Sequence, residues 1–187
     1  MGLCMGLWLR RCADLWRWLL LGIGLSYALP LWAQEADIAY QIKASYIYNF
    51  LQFVHFPQAV LLGDGTLNVC ILGEDRFGHA LDAIDGSSTP QGRLKVRRLG
   101  RYSKDSSFVS CNVLYLIDSE RPGVDAILGK IDQAQVLTIG EFSPFIRHGG
   151  LIELFKQNDV IRFRINEGLL SKTDFKIDAQ LIQLGVK

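Results

Sequence analysis

Three apolar stretches in the middle of the chain predict the strands of a central β-sheet. The stretches TLNVCILG and NVLYLI, which begin at Thr66 and Asn112, are apolar on both faces, as expected of strands that are covered on both sides. The stretch QVLTIGE, which begins at Gln135, has the pattern of a further short strand. Because helical patterns separate these strands, the sequence predicts an α/β fold with a mostly parallel sheet.

The segments between these strands have the spacing of short helices. Phe77, Leu81 and Ile84 form one apolar stripe, and Pro122 stands at a favourable early position for a helix over GVDAILGKI. The stretch LKVRRL alternates, which is typical of a strand with one solvated face. Strand and helix therefore alternate through the middle of the chain.

A long helix is predicted before the first strand, over residues 36–55, and Pro57 ends it. Side chains recur there at helical spacing, at Ile38, Ile42, Tyr46, Asn49, Phe50 and Phe53. The helix has more aromatic residues than one buried stripe can use. We expect Phe50 and Phe53 to pack on the sheet.

The other aromatic residues of this region predict an interaction surface. Aromatic side chains are favoured anchors at protein interfaces. The hypothesis is that four residues are partly exposed and contribute to a dimer or partner surface, namely Tyr40, Tyr48, Phe56 and Pro57.

The last third of the chain predicts an antiparallel addition to the sheet. The sequence GLIELFKQNDVIRFRIN, which begins at Gly150, gives two strands about a polar KQND turn. Ile161, Phe163 and Ile165 should lie on one face of the second strand, with Arg162 and Arg164 on the other. After residue 166 we expect a short helix, an extended segment and a last helix. The predicted fold is a single α/β domain, with a mostly parallel mixed sheet flanked by helices and a C-terminal hairpin.

The N-terminus has the pattern of a secretory signal peptide. Arg10, Arg11 and Arg17 precede the nearly uncharged stretch WLLLGIGLSYALPLWA, which ends at Ala33. The sequence thus predicts a signal peptide over residues 1–33, a folded domain over residues 34–187 and a periplasmic location. The alternative is an uncleaved membrane anchor.

Charge gives no indication of a nucleic-acid partner. Residues 1–33 hold three of the 20 Lys and Arg and one of the 19 Asp and Glu, so the rest carries 17 against 18, a net charge of −1. An electrostatic nucleic-acid binder would need a clustered basic excess. The one basic cluster, residues 93–101, is interpreted as a solvated strand face.

Cysteine usage favours one disulfide. Cys4 and Cys12 belong to the signal peptide, which leaves Cys70 and Cys111 in the exported domain. In an oxidising compartment such a pair favours a disulfide, and closing that loop would stabilise the fold by about 4 kcal/mol. The alternative is a pair of unpaired thiols buried in the core.

Catalytic and metal-binding patterns are not found. The three histidines, His55, His79 and His148, lack the close pairing typical of zinc ligands. No nucleophile motif or phosphate-binding loop is present, and Glu74 and Asp75 are interpreted as a solvated turn. We therefore predict no catalytic residue, metal or cofactor.

One polar segment is a candidate anion or ligand site. Arg147 and His148 stand beside Gly149 and Gly150, and two cationic side chains next to a glycine turn would suit a small anion. The alternative is a plain glycine turn between a helix and a strand.

Several stretches together resemble the YfiR family of exported bacterial proteins, over about residues 40–186. The stretches are YQIKASYIYNFLQFVHFP, LNVCILGEDRFGHALDAI, GRLKVRRL, CNVLYLIDSE, QVLTIGE, FIRHGGLIEL and VIRFRINEGLLSKTDFKIDAQLIQLG. Singly they are loose, but their order and spacing are specific.

The resemblance implies a protein that binds partners and is not an enzyme. The best-understood member is a periplasmic repressor of a membrane-bound diguanylate cyclase, and an outer-membrane lipoprotein relieves the repression by sequestering it. The resemblance also implies an α/β fold that can form a homodimer, and a disulfide between Cys70 and Cys111. This chain lacks the second cysteine pair that the family member has in the region matching residues 139–155, so redox control through that bond does not carry over.

Two other functions remain open. The chain could be a periplasmic ligand-binding module that feeds a membrane sensor kinase or cyclase, which would need a pocket with convergent polar groups. An enzyme would need a histidine or carboxylate pair in one cleft.

Overall fold

A seven-stranded mixed sheet forms the centre of the protein in the computed structural model, which describes residues 31–57 and 65–186. The sheet order is β3-β4-β2-β5-β6-β7-β8, and β1 pairs with β9 in a separate two-stranded sheet. The strands are β1 Val54–His55, β2 Thr66–Leu72, β3 Ser88–Thr89, β4 Gly92–Gly100, β5 Val113–Leu116, β6 Leu137–Gly140, β7 Ile152–Gln157, β8 Val160–Ile165 and β9 Lys176–Ile177.

The five inner strands of the large sheet are parallel, which confirms the predicted fold class. In chain order these strands lie as 2-1-3-4-5, the order of flavodoxin-like sheets, and their topological switch point lies between β2 and β5. Both edges are antiparallel, through β8 and through the very short β3. The predicted hairpin is therefore confirmed, and β3 is a second antiparallel edge that the sequence did not indicate.

The helices and helical turns are short except for the first. They are the α-helices α1 Leu31–Phe53, α2 Val124–Leu128, α3 Glu167–Leu170 and α4 Ala179–Leu184, and the 3₁₀ turns Gly78–Ala80, Asp118–Gly123 and Phe145–His148. Phe77, Leu81 and Ile84 are buried as predicted, although only one 3₁₀ turn forms among them. The predicted order of short helix, extended segment and last helix after residue 166 is confirmed by α3, β9 and α4.

Each face of the sheet has its own core. One cluster joins α1 to side chains such as Val69 and Tyr115, and the other joins α2 to Cys70 and Leu114. Neighbouring residues of β2 and β5 thus enter opposite cores, which explains why these strands are apolar on both faces.

The buried stripe of α1 differs from the spacing noted in the sequence. Ile42 is 42% exposed, whereas Tyr40, Ala44, Ile47 and Leu51 are buried. Tyrosine can take an inward position here because its hydroxyl finds a buried acceptor, as described below. Within the described residues no helix is both long and apolar enough to span a bilayer.

The outer edge of β8 is covered by the protein itself. The hydroxyl of Tyr46 donates to the carbonyl of Ile161 at 3.0 Å, and the amide of Val186 donates to the carbonyl of Phe163 at 2.8 Å. These bonds satisfy backbone acceptors that an open edge would offer to another chain.

The sheet belongs to a compact unit that begins at Ala39. Residues 1–30 of the predicted signal peptide lie outside the described residues. Cleavage after Ala33 remains a prediction.

Candidate functional site

The switch point between β2 and β5 is the place where flavodoxin-like sheets usually bind ligands. In this protein the crevice is filled from within. A Cβ atom on Gly73, at the end of β2, would lie 2.6 Å from Ser119 Oγ and 2.8 Å from Ile117 Cβ. Ser119 Oγ accepts a hydrogen bond from the Glu74 amide at 2.9 Å and donates to Glu120 Oε1 at 3.1 Å. The side chains of the next loop therefore occupy the space that a ligand would need.

Glu141, directly after β6, is a buried carboxylate like Glu120 and lies next to the switch point. Its side chain is only 2% exposed. Tyr40 Oη and the amide of Asp118 donate to Oε1 at 3.2 and 3.1 Å. Tyr115 Oη and Lys43 Nζ donate to Oε2 at 2.9 and 2.8 Å. Four donors satisfy the carboxylate, and the ammonium of Lys43 balances its charge.

The two tyrosines of this network remain protonated donors. Burial raises the pKa of Tyr115 well above its ordinary value, and the negative charge of Glu141 raises it further. Burial and the Glu141 carboxylate raise the pKa of Tyr40 in the same way. With the carboxylates of Glu120 and Glu141 buried at this edge, the site disfavours a phosphate or another anion. The hydrogen bonds to Glu141 therefore fasten α1 to the carboxyl ends of β5 and β6.

Cys70 and Cys111 form a disulfide, as predicted. Cys70 lies in the middle of β2 and Cys111 lies just before β5, with their Cα atoms 5.7 Å apart. Beside the bond, Asn112 Oδ1 accepts the Asn68 amide at 2.7 Å. The bond therefore joins β2 to the segment that leads into the neighbouring parallel strand β5, and both cysteines are buried.

The predicted aromatic surface is wrong for two of its four residues. Tyr40 is 8% exposed and Phe56 6% exposed, so neither presents a side chain to a partner. Tyr40 is drawn inward by Glu141, and the ring of Phe56 packs edge to face on Phe175 with centroids 5.3 Å apart.

Tyr48 and Pro57 are half-buried. Tyr48 Oη donates to the carbonyl of Ser88 at 3.4 Å, which places this tyrosine next to the β3 edge. Their role in a partner or dimer surface remains a prediction.

The candidate anion segment adopts a glycine turn between a 3₁₀ turn and β7. His148 Nδ1 lies 2.7 Å from Asp125 Oδ1, so a carboxylate already accompanies the histidine. Gly149 has a φ of 94°, and a Cβ on Gly150 would overlap the ring of Phe145. These glycines are explained by backbone geometry and close packing. Arg147 is exposed, and anion binding at this segment stays a prediction.

A groove near the C-terminus was missed by the sequence analysis. It has a volume of about 360 Å³, and Arg164 on β8 contributes to its wall. Arg164 was predicted to lie on the polar face of the hairpin, but its buried neighbour Glu153 was hidden within the apolar stretch LIELF. Glu141 could have been identified from the sequence, because it is an acidic residue directly after a buried strand.

A family model described as YfiR/HmsC-like matches residues 40–186, nearly the whole unit that contains the sheet. Among curated proteins no match was found.

Proposed function

Since the chain belongs to the YfiR/HmsC-like family, whose members are periplasmic regulators of cyclic di-GMP signalling, we propose that it represses a membrane-bound diguanylate cyclase by binding its periplasmic part. The observation that carries this proposal is the extent of the match, residues 40–186. It spans every strand of the large sheet.

Two structural features support a binding role in the periplasm. The buried disulfide between Cys70 and Cys111 suits an oxidising compartment. The switch-point crevice, where a cofactor or substrate would usually bind in such a sheet, is filled by Ser119 and Glu120.

The proposed contact surface includes Tyr48 and Pro57. Both are half-buried, and the hydroxyl of Tyr48 donates to the carbonyl of Ser88 at the β3 edge. A rigid aromatic side chain with an exposed part is a favourable interface anchor. The same surface would serve a homodimer, and an outer-membrane lipoprotein that sequesters the protein would compete for it.

The groove at Arg164 favours a second candidate function, a ligand-binding module that feeds a membrane sensor kinase or cyclase. The two candidates differ in what the protein recognises first, a cyclase or a small ligand, and the experiment below tests the repressor proposal.

The test is photocrosslinking in cells, with a crosslinking amino acid at Tyr48 on α1 and, as a control, at the exposed Lys104 in the loop after β4. We expect the Tyr48 position to capture a diguanylate cyclase from the membrane fraction and the Lys104 position to capture much less. In the same cells, deleting the protein should raise the concentration of cyclic di-GMP. Expressing the full chain again should return that concentration to its original level. Unchanged cyclic di-GMP together with no captured cyclase would contradict the repressor proposal.

A further inference from the structure

The strand β4 has a row of exposed basic side chains on one face. Arg93, Lys95 and Arg97 occupy alternate positions of the strand, and all three are exposed. They lie on the face opposite to Leu94, which is buried in the core that contains α1. Because side chains on one face of a strand repeat about every 7 Å, the three cations form one row, the basic face of β4.

The neighbouring strand is covered on this side of the sheet, whereas β4 is not. Cys70 of β2 lies beside Arg97 in the sheet register, and it is buried in the second core with Phe108 and Cys111. Arg97 Nη1 donates to Ser110 Oγ, which belongs to the same covering loop. The loop therefore extends over β2 as far as Arg97, and the basic side chains beyond it are exposed to solvent.

Two of the three cations have no acidic partner. Lys95 Nζ lies 3.5 Å from Oδ2 of Asp85. Within residues 31–57 and 65–186, no carboxylate forms an ion pair with Arg93 or Arg97. The basic face therefore has an excess of positive charge that an anionic partner could balance.

The outer edge of β4 is also open beyond its beginning. β3 pairs only with Gly92 and Arg93, and the amide of Val96 donates to Asp85 Oδ1 at 2.8 Å. After Val96, the part of the chain that the structure describes gives this edge no backbone partner. An open edge can accept an extended segment through backbone hydrogen bonds. A second copy of the chain is disfavoured there, because antiparallel pairing of two β4 strands would place basic side chains opposite each other.

We propose that an acidic, extended segment of a protein partner binds along β4, with a carboxylate at every second position against the basic face. The alternate positions of that segment are uncharged, because Arg98 on the other face of β4 already pairs with Asp75 and Asp82. Further carboxylates on that side would meet these aspartates.

The basic face adjoins the proposed contact surface at Tyr48. The carbonyl of Ser88 accepts the Tyr48 hydroxyl, and Ser88 is the cross-strand neighbour of Arg93. The acidic segment thus deepens the proposed function by giving the chemistry of the partner. Its binding rests on that function only for the identity of the protein that supplies it.

The test is an NMR titration of the purified protein with a ten-residue peptide of alternating threonine and glutamate. The matched control is the peptide of alternating threonine and lysine. We expect the glutamate peptide to shift the amide resonances of Lys95, Arg97 and Leu99, and the lysine peptide to leave them unchanged. Because exposed charges are screened by salt, about 0.5 M sodium chloride should weaken the binding.

Variants identify the contribution of the basic face. Arg93→Gln/Arg97→Gln should raise the dissociation constant of the glutamate peptide about tenfold, because two exposed charge pairs are lost. Arg162→Gln/Lys172→Gln removes the same charge from exposed positions outside β4 and should have no effect. Arg93→Glu/Arg97→Glu should reverse the preference, so that the lysine peptide binds. All substituted positions are exposed, and circular dichroism verifies that the variants are folded.

The proposal fails if the glutamate peptide shifts none of the β4 resonances. It also fails if Arg93→Gln/Arg97→Gln binds that peptide as tightly as the original protein, or if the control variant loses as much affinity. Adsorption to vesicles of phosphatidylglycerol without any response to the peptide would replace the acidic segment by a membrane surface. A failure here leaves the repressor proposal standing, and a lack of captured cyclase in cells leaves the peptide result unchanged.

Discussion

Tyr115, in the middle of the sheet, donates its hydroxyl to Oε2 of Glu141 at 2.9 Å, and the same oxygen accepts Lys43 of α1 at 2.8 Å. One carboxylate therefore connects the central strand β5, the loop after β6 and the first helix. The helix residues lie about a hundred positions away in sequence, at separations of 98 and 101.

Removing the carboxylate of Glu141 should strongly destabilise the fold. Glu141→Ala leaves Lys43 without its counter-ion and two buried hydroxyls without an acceptor, and we expect a loss of about 3 kcal/mol in the free energy of unfolding. Urea denaturation measures it. Glu74→Ala is the matched control, because its partner Arg101 forms an exposed surface pair that should contribute little. Equal effects of the two substitutions would show that Glu141 does not stabilise the contact between α1 and the sheet.

The same tyrosines predict how stability depends on alkaline pH. The pKa values of Tyr40 and Tyr115 are raised in the folded protein, while unfolded tyrosine ionises near pH 10. Above about pH 10 the unfolded chain thus releases protons that the folded protein keeps, and the free energy of unfolding falls as pH rises. Below that pH the contribution of both hydroxyls is fully present.

Denaturation over a series of alkaline pH values checks this prediction. Tyr115→Phe should flatten the alkaline decline, since phenylalanine does not titrate in either state. Tyr102→Phe is the control, because Tyr102 is only partly buried and its hydroxyl has no part in the Glu141 network. An identical decline in Tyr115→Phe and the original protein would show that the buried hydroxyl is not responsible.

The disulfide should contribute substantially to stability. Closing a loop across a sequence separation of 41 corresponds to about 4 kcal/mol on the chain-entropy model. Cys70→Ala/Cys111→Ala should lower the free energy of unfolding by up to that amount while preserving the circular dichroism spectrum. Intact mass after alkylation without reductant tests the bond directly. Two alkylated thiols in the protein purified without reductant would refute it.

Sequence patterns predicted the strands better than the helices, for a physical reason. The strands β2, β5 and β6 are buried on both faces, so their stretches are largely apolar and bounded by polar residues. On α1 both Tyr40 and Ile42 are apolar enough to be buried, and periodicity does not decide between them. The choice depends on Glu141, which only the folded sheet brings close to the helix.

The candidate sites also depend on contacts that local sequence patterns do not show. Arg164 could be placed on the polar face of the hairpin from its alternation with Phe163. Its groove depends on the pairing of Val186 with β8 and on the position of Glu153, neither of which is a local property of the sequence. The glycine turn after His148 could be considered from the sequence, because two adjacent glycines favour a turn whatever the rest of the fold is.

The closed switch-point crevice gives the last prediction, which concerns Gly73. Gly73→Ala would place a Cβ within 3 Å of both Ser119 and Ile117, at a φ of 121° that L side chains rarely adopt. Gly86→Ala is the matched control, because Gly86 also has a positive φ, 78°, but nothing lies within 4 Å of its Cβ position. Both variants contain backbone strain of about 1 kcal/mol or more, and only the first adds steric overlap. We therefore expect Gly73→Ala to lower the midpoint of urea unfolding clearly more than Gly86→Ala does. If both lower it equally, the crevice has room for a side chain, and a ligand at the switch point becomes physically reasonable again.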